Sequence, residues 1–475
     1  MLEWRIWMQN SISITDRKRT LIFINILISC VATSMLSTAL TTALSPISKG
    51  LNISVATGQW LTSGYSLAMG IIMPLTAFLM RRFATKKLYL TGIGVFIVGL
   101  VISLISNSFG VMMIDRVLQA MGNGVLMSMA QVMILSIYPD EKKGTVMGWY
   151  GLASGAAPVV APTIAGILVD LISWRAIFGA SLIIMVISFI MAMFVLENVL
   201  ETYNKQFDVV SFILSIFSFF CITLGIGNIS SYGLTNSFTW LPLVVGIMTF
   251  AVFVYRQLNL KEPFLEMRTL KIKEFTLSVI GSMLLYFVMM GSSVIMPLYV
   301  QSVMGYSATV SGLVTLPGSL AMAIVSPFAG RIYDRLGIKK LFVLGAACML
   351  ISNVGMYFIT MSTPLVIAAI YNVIRNVAIG CLMMSLITWG TSYIENCLVA
   401  DGTALLTSLR TIAGAIGSAV FVGIMTLVAS ISANTYGVNA NMHGLNVAFI
   451  AMAMATLVLF LITVFLVKDQ KKKGL

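Results

Sequence analysis

Asp115 and Arg116, with Gln119 and Asn123 on the next turns, sit inside an apolar run at 109–138. An acid and a cation inside such a run are expensive in lipid unless they face a cavity or a partner. Arg375 and Asn376 lie near the middle of a second run at 365–388, and Arg410 lies about 12 Å inside a third at 402–428. Neither of these cations has an obvious acidic partner on its own helix. Two readings stay open for them: a cavity filled with water or substrate, or contacts to neighbouring helices and backbone carbonyls. The chemistry this implies is the movement of charge or of polar molecules through lipid. Proton coupling needs a group that switches charge, and Asp115 is the first candidate, ahead of Asp401 and Asp334.

Composition excludes most alternatives. Of 475 residues, 59% are hydrophobic and 9% charged, against about 25% charged in soluble domains. The single histidine, His443, and five cysteines without a CxxC pair leave no metal site or disulfide framework. No Walker-type phosphate loop occurs, and no cofactor is implied. The net charge of +13 could point to nucleic acid, but its placement gives it another meaning.

At about 20 apolar residues per crossing, the chain reads as fourteen spans near 21–44, 58–80, 88–106, 109–138, 145–168, 176–196, 209–229, 240–256, 275–300, 309–330, 341–360, 365–388, 402–428 and 445–467. With a cytoplasmic N-terminus, 24 of the 29 basic residues fall in inside segments, and only Lys49 and Arg175 outside. One miscounted helix would scramble that alternation. The positive-inside rule therefore places both termini in the cytoplasm and makes the basic excess a topology signal. Nucleic acid is not an expected partner.

Ser66 to Tyr89 and Ser319 to Phe342 align without a gap, with ten of 24 positions identical. Spans 2 and 10 thus correspond, and spans 1–6 pair with spans 9–14. The expected organisation is a cytoplasmic segment 1–20, a six-helix bundle 21–197, two extra helices with linkers 198–274, a second six-helix bundle 275–467 and a basic tail 468–475. This is an all-α integral membrane protein of two pseudo-symmetric halves, the architecture of alternating-access transporters.

The second copy carries Gly330-Arg-Ile-Tyr-Asp334-Arg335-Leu-Gly337-Ile-Lys339-Lys340 on a cytoplasmic loop. Gly330 lets a neighbour approach, Asp334 can cap a helix or pair with a base, and Gly337 makes the turn. Together they suit a latch on the cytoplasmic gate, while Lys339 and Lys340 alone read as a topology anchor. The first copy has Ala77, Arg81 and Ala84 at the matching positions. The loop resembles a signature of the major facilitator superfamily. Asp115 to Gly124 is similar to the superfamily's arginine-bearing motif. The small residues and prolines of span 5, with Gly151, Gly155, Pro158 and Pro162, resemble its antiporter motif. Ser173-Trp174-Arg175, and Asp401 through Arg410 to Gly417, resemble the fourteen-helix drug–proton antiporters.

That resemblance implies export of amphipathic, drug-like small molecules in exchange for protons from a bacterial plasma membrane. Superfamily members often work as single chains, and nothing here demands otherwise. The cavity would lie between spans 1, 4 and 5 and spans 9, 12 and 13, with Ser37, Thr41, Gln119, Asn123, Tyr286 and Asn376 as candidate lining residues. Trp60, Tyr299 and Gln301 lie near the outer surface, where an interfacial belt is the simpler account. One departure is chemical. The family has an aspartate in span 1 where this chain has Ser37, which cannot titrate. With Arg116, Arg375 and Arg410 embedded, neutral or anionic cargo is favoured over strongly cationic cargo. The alternatives are a dedicated exporter of one metabolite or lipid-like compound, and a non-transporting membrane sensor with the same fold.

Overall fold

A computed structural model describes residues 15–138, 140–199, 208–232, 236–260, 263, 267–336, 338–394 and 399–467. The long helices are α1 (Asp16–Gly50), α2 (Trp60–Arg82), α3 (Thr85–Ile105), α4 (Phe109–Ile137), α5 (Asp140–Leu171), α6 (Arg175–Val195), α7 (Val209–Tyr232), α8 (Ser237–Asn259), α9 (Lys273–Leu298), α10 (Ala308–Leu336), α11 (Ile338–Tyr357), α12 (Leu365–Thr391), α13 (Val399–Tyr436) and α14 (Ala440–Phe465). Among the described residues, 12 helices are long and apolar enough to cross a membrane. The two outside that count are α2 and α5, the latter contributing a shorter apolar stretch, Val160–Leu171.

Lipid explains why these runs are helical: a spanning backbone must satisfy its own N–H and C=O groups. It also explains why large apolar side chains such as Val98, Ile187, Ile351 and Val458 are exposed along their helices. Where the chain leaves the apolar runs, polar residues stop or cap it. Ser108 accepts from Val111 N–H at the start of α4, and Asn236 from Phe238 N–H at the start of α8. Several helices outrun their apolar stretches; α1 begins at Asp16 rather than 21, and α13 runs on to Tyr436.

Helix packing repeats. In the first group α1 packs on α5 and α6, α4 on α2 and α3, and α3 on α6; adding eight to each label gives the packing of α9–α14. Two seams join the groups, α2 against α13 and α5 against α10, and each is the image of the other under the same shift. The remaining helices, α7 and α8, pack on each other, and α7 lies over α13 and the neighbouring part of α2. This hairpin covers one seam only. Its base is clasped by Arg256, which donates to both carboxylate oxygens of Asp208 at 2.9 and 3.1 Å. Partial burial works against ionisation of Asp208, but hydrogen bonds from Arg256 and Ser211 outweigh it and hold the carboxyl below its usual range.

Candidate functional site

The far face is the one carrying the ends of α1 and α5 and the start of α10; the near face carries the start of α1 and the end of α6, where Lys18 pairs with Glu197. Four polar contacts close the far face between the groups. Gln301 donates to the Thr42 carbonyl at 2.8 Å, and Ser302 meets the Ser45 hydroxyl at 3.2 Å. Thr163 donates to the Gly312 carbonyl at 3.2 Å, and the Asp170 carboxylate accepts the Thr309 backbone N–H at 2.8 Å. Asp170 sits in the last turn of α5, where an acid opposes its own helix dipole. Its role is explained by the other group: it caps the first turn of α10. The helices touch so closely here that a Cβ on Gly166 would stand 2.5 Å from the Ala308 oxygen, and one on Gly312 2.7 Å from the Pro162 oxygen. Near the middle of the other seam, the Ser408 hydroxyl donates to the Gly70 carbonyl at 2.6 Å.

Toward the middle of the bundle the same faces carry half-buried polar side chains. On α1, Ser34, Thr38, Thr41 and Ser45 follow helical spacing; Ser45 meets the second group, whereas Thr38 and Thr41 are half-buried. Ser37, beside them, is also half-buried, and all three hydroxyls donate to carbonyls of their own helix. On α9, Tyr286, Met290 and Ser293 form the facing stripe, continued past the helix end by Gln301 in the π-helical turn Tyr299–Val303; Gln301 closes the far end, Tyr286 and Met290 are half-buried, and Ser293 is exposed. The strip between these half-buried side chains of α1 and α9, beneath the far-face contacts, is termed the gap.

Arg116 belongs to the interior of the first group. It is fully buried, donates through Nε to the Leu61 carbonyl at 3.1 Å and through Nη1 to Gln119, and lies over the Tyr65 ring at 4.0 Å. Gln119 in turn donates to the Ser103 hydroxyl at 2.7 Å and toward Asp115 at 3.4 Å. Asn123 donates to the Tyr65 hydroxyl at 2.7 Å. The sequence motif is therefore a connected network linking α4 to α2 and α3. Asp115 is fully buried, and one of its carboxylate oxygens, Oδ2, has no hydrogen-bond partner. Asp115 and Arg116 are adjacent in sequence but are not within the 4.0 Å of an ion pair among the described residues.

Arg375 occupies the interior of the second group, 1% exposed. Its Nη2 donates to Asn372 at 2.6 Å, and its guanidinium carbon lies 5.9 Å from the Phe449 ring, but Nε and Nη1 have no partner. Asn376 donates to the Asn372 carbonyl at 2.8 Å. Both asparagines press on α10 where Gly318 makes room: a Cβ there would stand 2.6 Å from Asn372 and 2.8 Å from Asn376.

Arg410 differs from both. It is half-buried, its guanidinium carbon is 4.6 Å from the Tyr286 ring, and its Nε and Nη1 are buried without partners. Its helix meets α2 through Ser408 and Ile412, and α9 through Gly414 and Gly417. Thr407, Thr411 and Ser418 share the face between those two contacts.

The candidates thus fall into three places. Ser37, Thr41, Tyr286 and Arg410 border the gap; Asp115, Arg116, Gln119 and Asn123 form the first group's network; and Arg375 and Asn376 sit inside the second group. Pro158 and Pro162 lie inside α5 as expected. Gly151 and Gly155 lie in the same helix, with surroundings outside the described side chains. The side chain of Asp401 also lies outside them. Of the loop latch, Gly330, Asp334 and Arg335 end α10 with their side chains outside the description, and Gly337 lies outside the described residues. Gln301, read as a belt residue, bonds across the groups instead. Asp170 was missed, although an acid in the last turn of a helix was the available signal. An apolar crevice between α1, α5 and α6, lined by Met35, Leu36, Ala161 and Ile177 among others, holds none of the polar candidates.

Comparison with known proteins places this geometry. The profile described as Major Facilitator Superfamily matches residues 22–418. An uncharacterized MFS-type transporter of Bacillus subtilis (strain 168), YcnB, is 33% identical over 434 residues, covering 91% of this chain and 92% of that one. The lincomycin resistance protein LmrB of the same organism is 33% identical over 393 residues, covering 82% and 81%. A bacterial homologue of the human lysosomal transporter Spinster, solved in an inward-facing, unoccupied conformation, superposes with a TM-score of 0.70 at 14% identity over 95% of this chain and 97% of that one. The profile over most of the chain and relatives at 33% identity along most of its length settle the family: the chain belongs to the major facilitator superfamily and is a multi-pass membrane transporter, not an enzyme.

Proposed function

We propose that the protein is a secondary active exporter of small amphipathic, drug-like compounds, working by alternating access and exchanging cargo for protons. The observation that carries this reading is the far-face closure above a polar, half-buried gap. A site reached from one face at a time needs a seal that can break, and hydrogen bonds between separately packed groups provide one. In this reading all fourteen helices span a bacterial plasma membrane, the near face is cytoplasmic, and both termini lie there. The halves are 21–197 and 275–467, joined by the 198–274 hairpin and flanked by 1–20 and 468–475. The relative named for lincomycin resistance supports a drug-like cargo.

Ser37, Thr41 and Tyr286 line the cargo path beside Arg410; Gln119 holds Arg116, Asn123 holds the Tyr65 ring against it, and Asn376 bonds Asn372, the partner of Arg375. Gly330, Asp334, Arg335 and Gly337 latch the near face when the far face opens, and Gly151, Gly155, Pro158 and Pro162 let α5 bend and pack as it moves. Asp115 is the proton-switching group: a buried carboxyl next to a network that reaches two other helices. Counterflow in proteoliposomes under an imposed pH gradient, scanning dyes and toxic compounds, tests the whole reading. Asp115→Asn should abolish gradient-driven transport while sparing cargo binding, and retained coupling would remove Asp115 from the mechanism.

A further inference from the structure

The charge balance of the gap narrows the cargo. Among the described residues, Arg410 is the one charged side chain bordering it. The Tyr286 ring beneath Arg410 attracts the cation without accepting an N–H, so Nε and Nη1 remain unspent. A planar guanidinium with free N–H groups matches a carboxylate or sulfonate, which it binds by charge-assisted hydrogen bonds. No described residue hydrogen-bonds Nε or Nη1. The hydroxyls of Ser37, Thr38 and Thr41 donate to their own helix, and no described acid faces the gap. Asp115 is turned into the first group's network, and Asp170 is committed to α10 at the far face. The two other embedded arginines are enclosed within their own helix groups. Half-buried Met290, on the same face of α9 as Tyr286, supplies adaptable apolar surface beside it.

We propose that the cargo is an amphipathic organic anion, a single carboxylate or sulfonate on an apolar aromatic body, recognised through Arg410. This rests on the export reading above and names the cargo's charge. It also gives Ser37 a physical reason: an acid at that position would repel an anion held across the gap. A cationic cargo would meet an uncompensated like charge.

The test uses the purified full chain and three matched probes, 2-naphthoate, 2-naphthamide and 2-naphthyltrimethylammonium, with binding followed by competition and transport by counterflow in proteoliposomes. The expected order is naphthoate tightest and the ammonium weakest, with naphthoate favoured about tenfold or more over the amide, as one charge-assisted contact supplies. Arg410→Gln should erase that preference, with its size-exclusion profile and melting temperature in detergent reporting that the variant is folded; Arg410→Lys should keep part of it. If the ammonium binds as well as naphthoate, or the preference survives Arg410→Gln, the proposal is wrong. Counterflow of a cationic dye such as ethidium without naphthoate preference overturns this proposal alone. Absence of counterflow with every probe overturns the export reading together with it.

Discussion

The two helix groups share one packing plan but treat their deepest arginine differently. Arg116 is held by a carbonyl of α2, by Gln119 and by the Tyr65 ring. Arg375, equally buried, has one hydrogen-bond partner, Asn372 on its own helix, a more distant ring, Phe449, and two guanidinium nitrogens without a hydrogen bond, against one for Arg116. Duplication preserved the scaffold, because helix contacts depend on small residues and apolar surfaces repeated along each helix. Polar chemistry was not copied with it. One arginine stitches helices together; the other is enclosed with fewer hydrogen bonds and bonds only within its own helix.

The largest expected effect follows from that contrast. Arg116→Gln should lower the melting temperature in detergent sharply, by about 2–4 kcal/mol of stability, since it removes several buried contacts and strands their acceptors. Arg375→Gln should stay within about 1 kcal/mol of the parent, because losing one contact is offset by relieving two unpartnered donors. Equal losses in the two variants would erase the distinction. A second difference separates the seams. At the far end of the α5–α10 seam Gly312 lies against the Pro162 carbonyl, so Gly312→Leu should cost the closed far face about 1–3 kcal/mol. A cysteine placed at Ser293 should then react faster with an impermeant thiol reagent added from the far side. Unchanged reactivity would show that this seam does not seal the gap.

The smallest effect concerns the hairpin, which has no counterpart in the other half. The Asp208–Arg256 clasp is partly exposed, so Asp208→Asn should cost no more than about 1 kcal/mol. Because folding holds the Asp208 carboxyl below its usual range, the clasp contributes fully above the unfolded value of about 3.9 and loses its contribution as pH falls through the lower folded value. Thermal melts of the parent and the Asp208→Asn variant should therefore converge in acid. A gap that widens there would contradict the assignment.

Much of this was legible in the sequence for a physical reason. Spans are local, since about 20 apolar residues must lie consecutively. The repeat is visible because the basic loop and the proline kept their spacing, and Arg116, Arg375 and Arg410 stand out because charge is rare in such runs. Partners were not legible. Nothing near Arg116 in the chain points to Leu61 or Tyr65, more than 50 positions away, and nothing near Gln301 points to Thr42. The same distance hides the capping of α10 by Asp170, although its adverse place on α5 hints at a partner elsewhere. Nor does the apolar hairpin α7–α8 announce that it covers one seam and leaves the other bare.

The central claim is that the far-face seal between the groups must open for cargo to cross. Cysteines at Thr42 and Gln301, joined by a short reducible thiol crosslinker in the purified and reconstituted protein, test it most directly. Export should stop when the link forms and return when it is reduced. Unimpaired export by verified crosslinked protein would contradict the account.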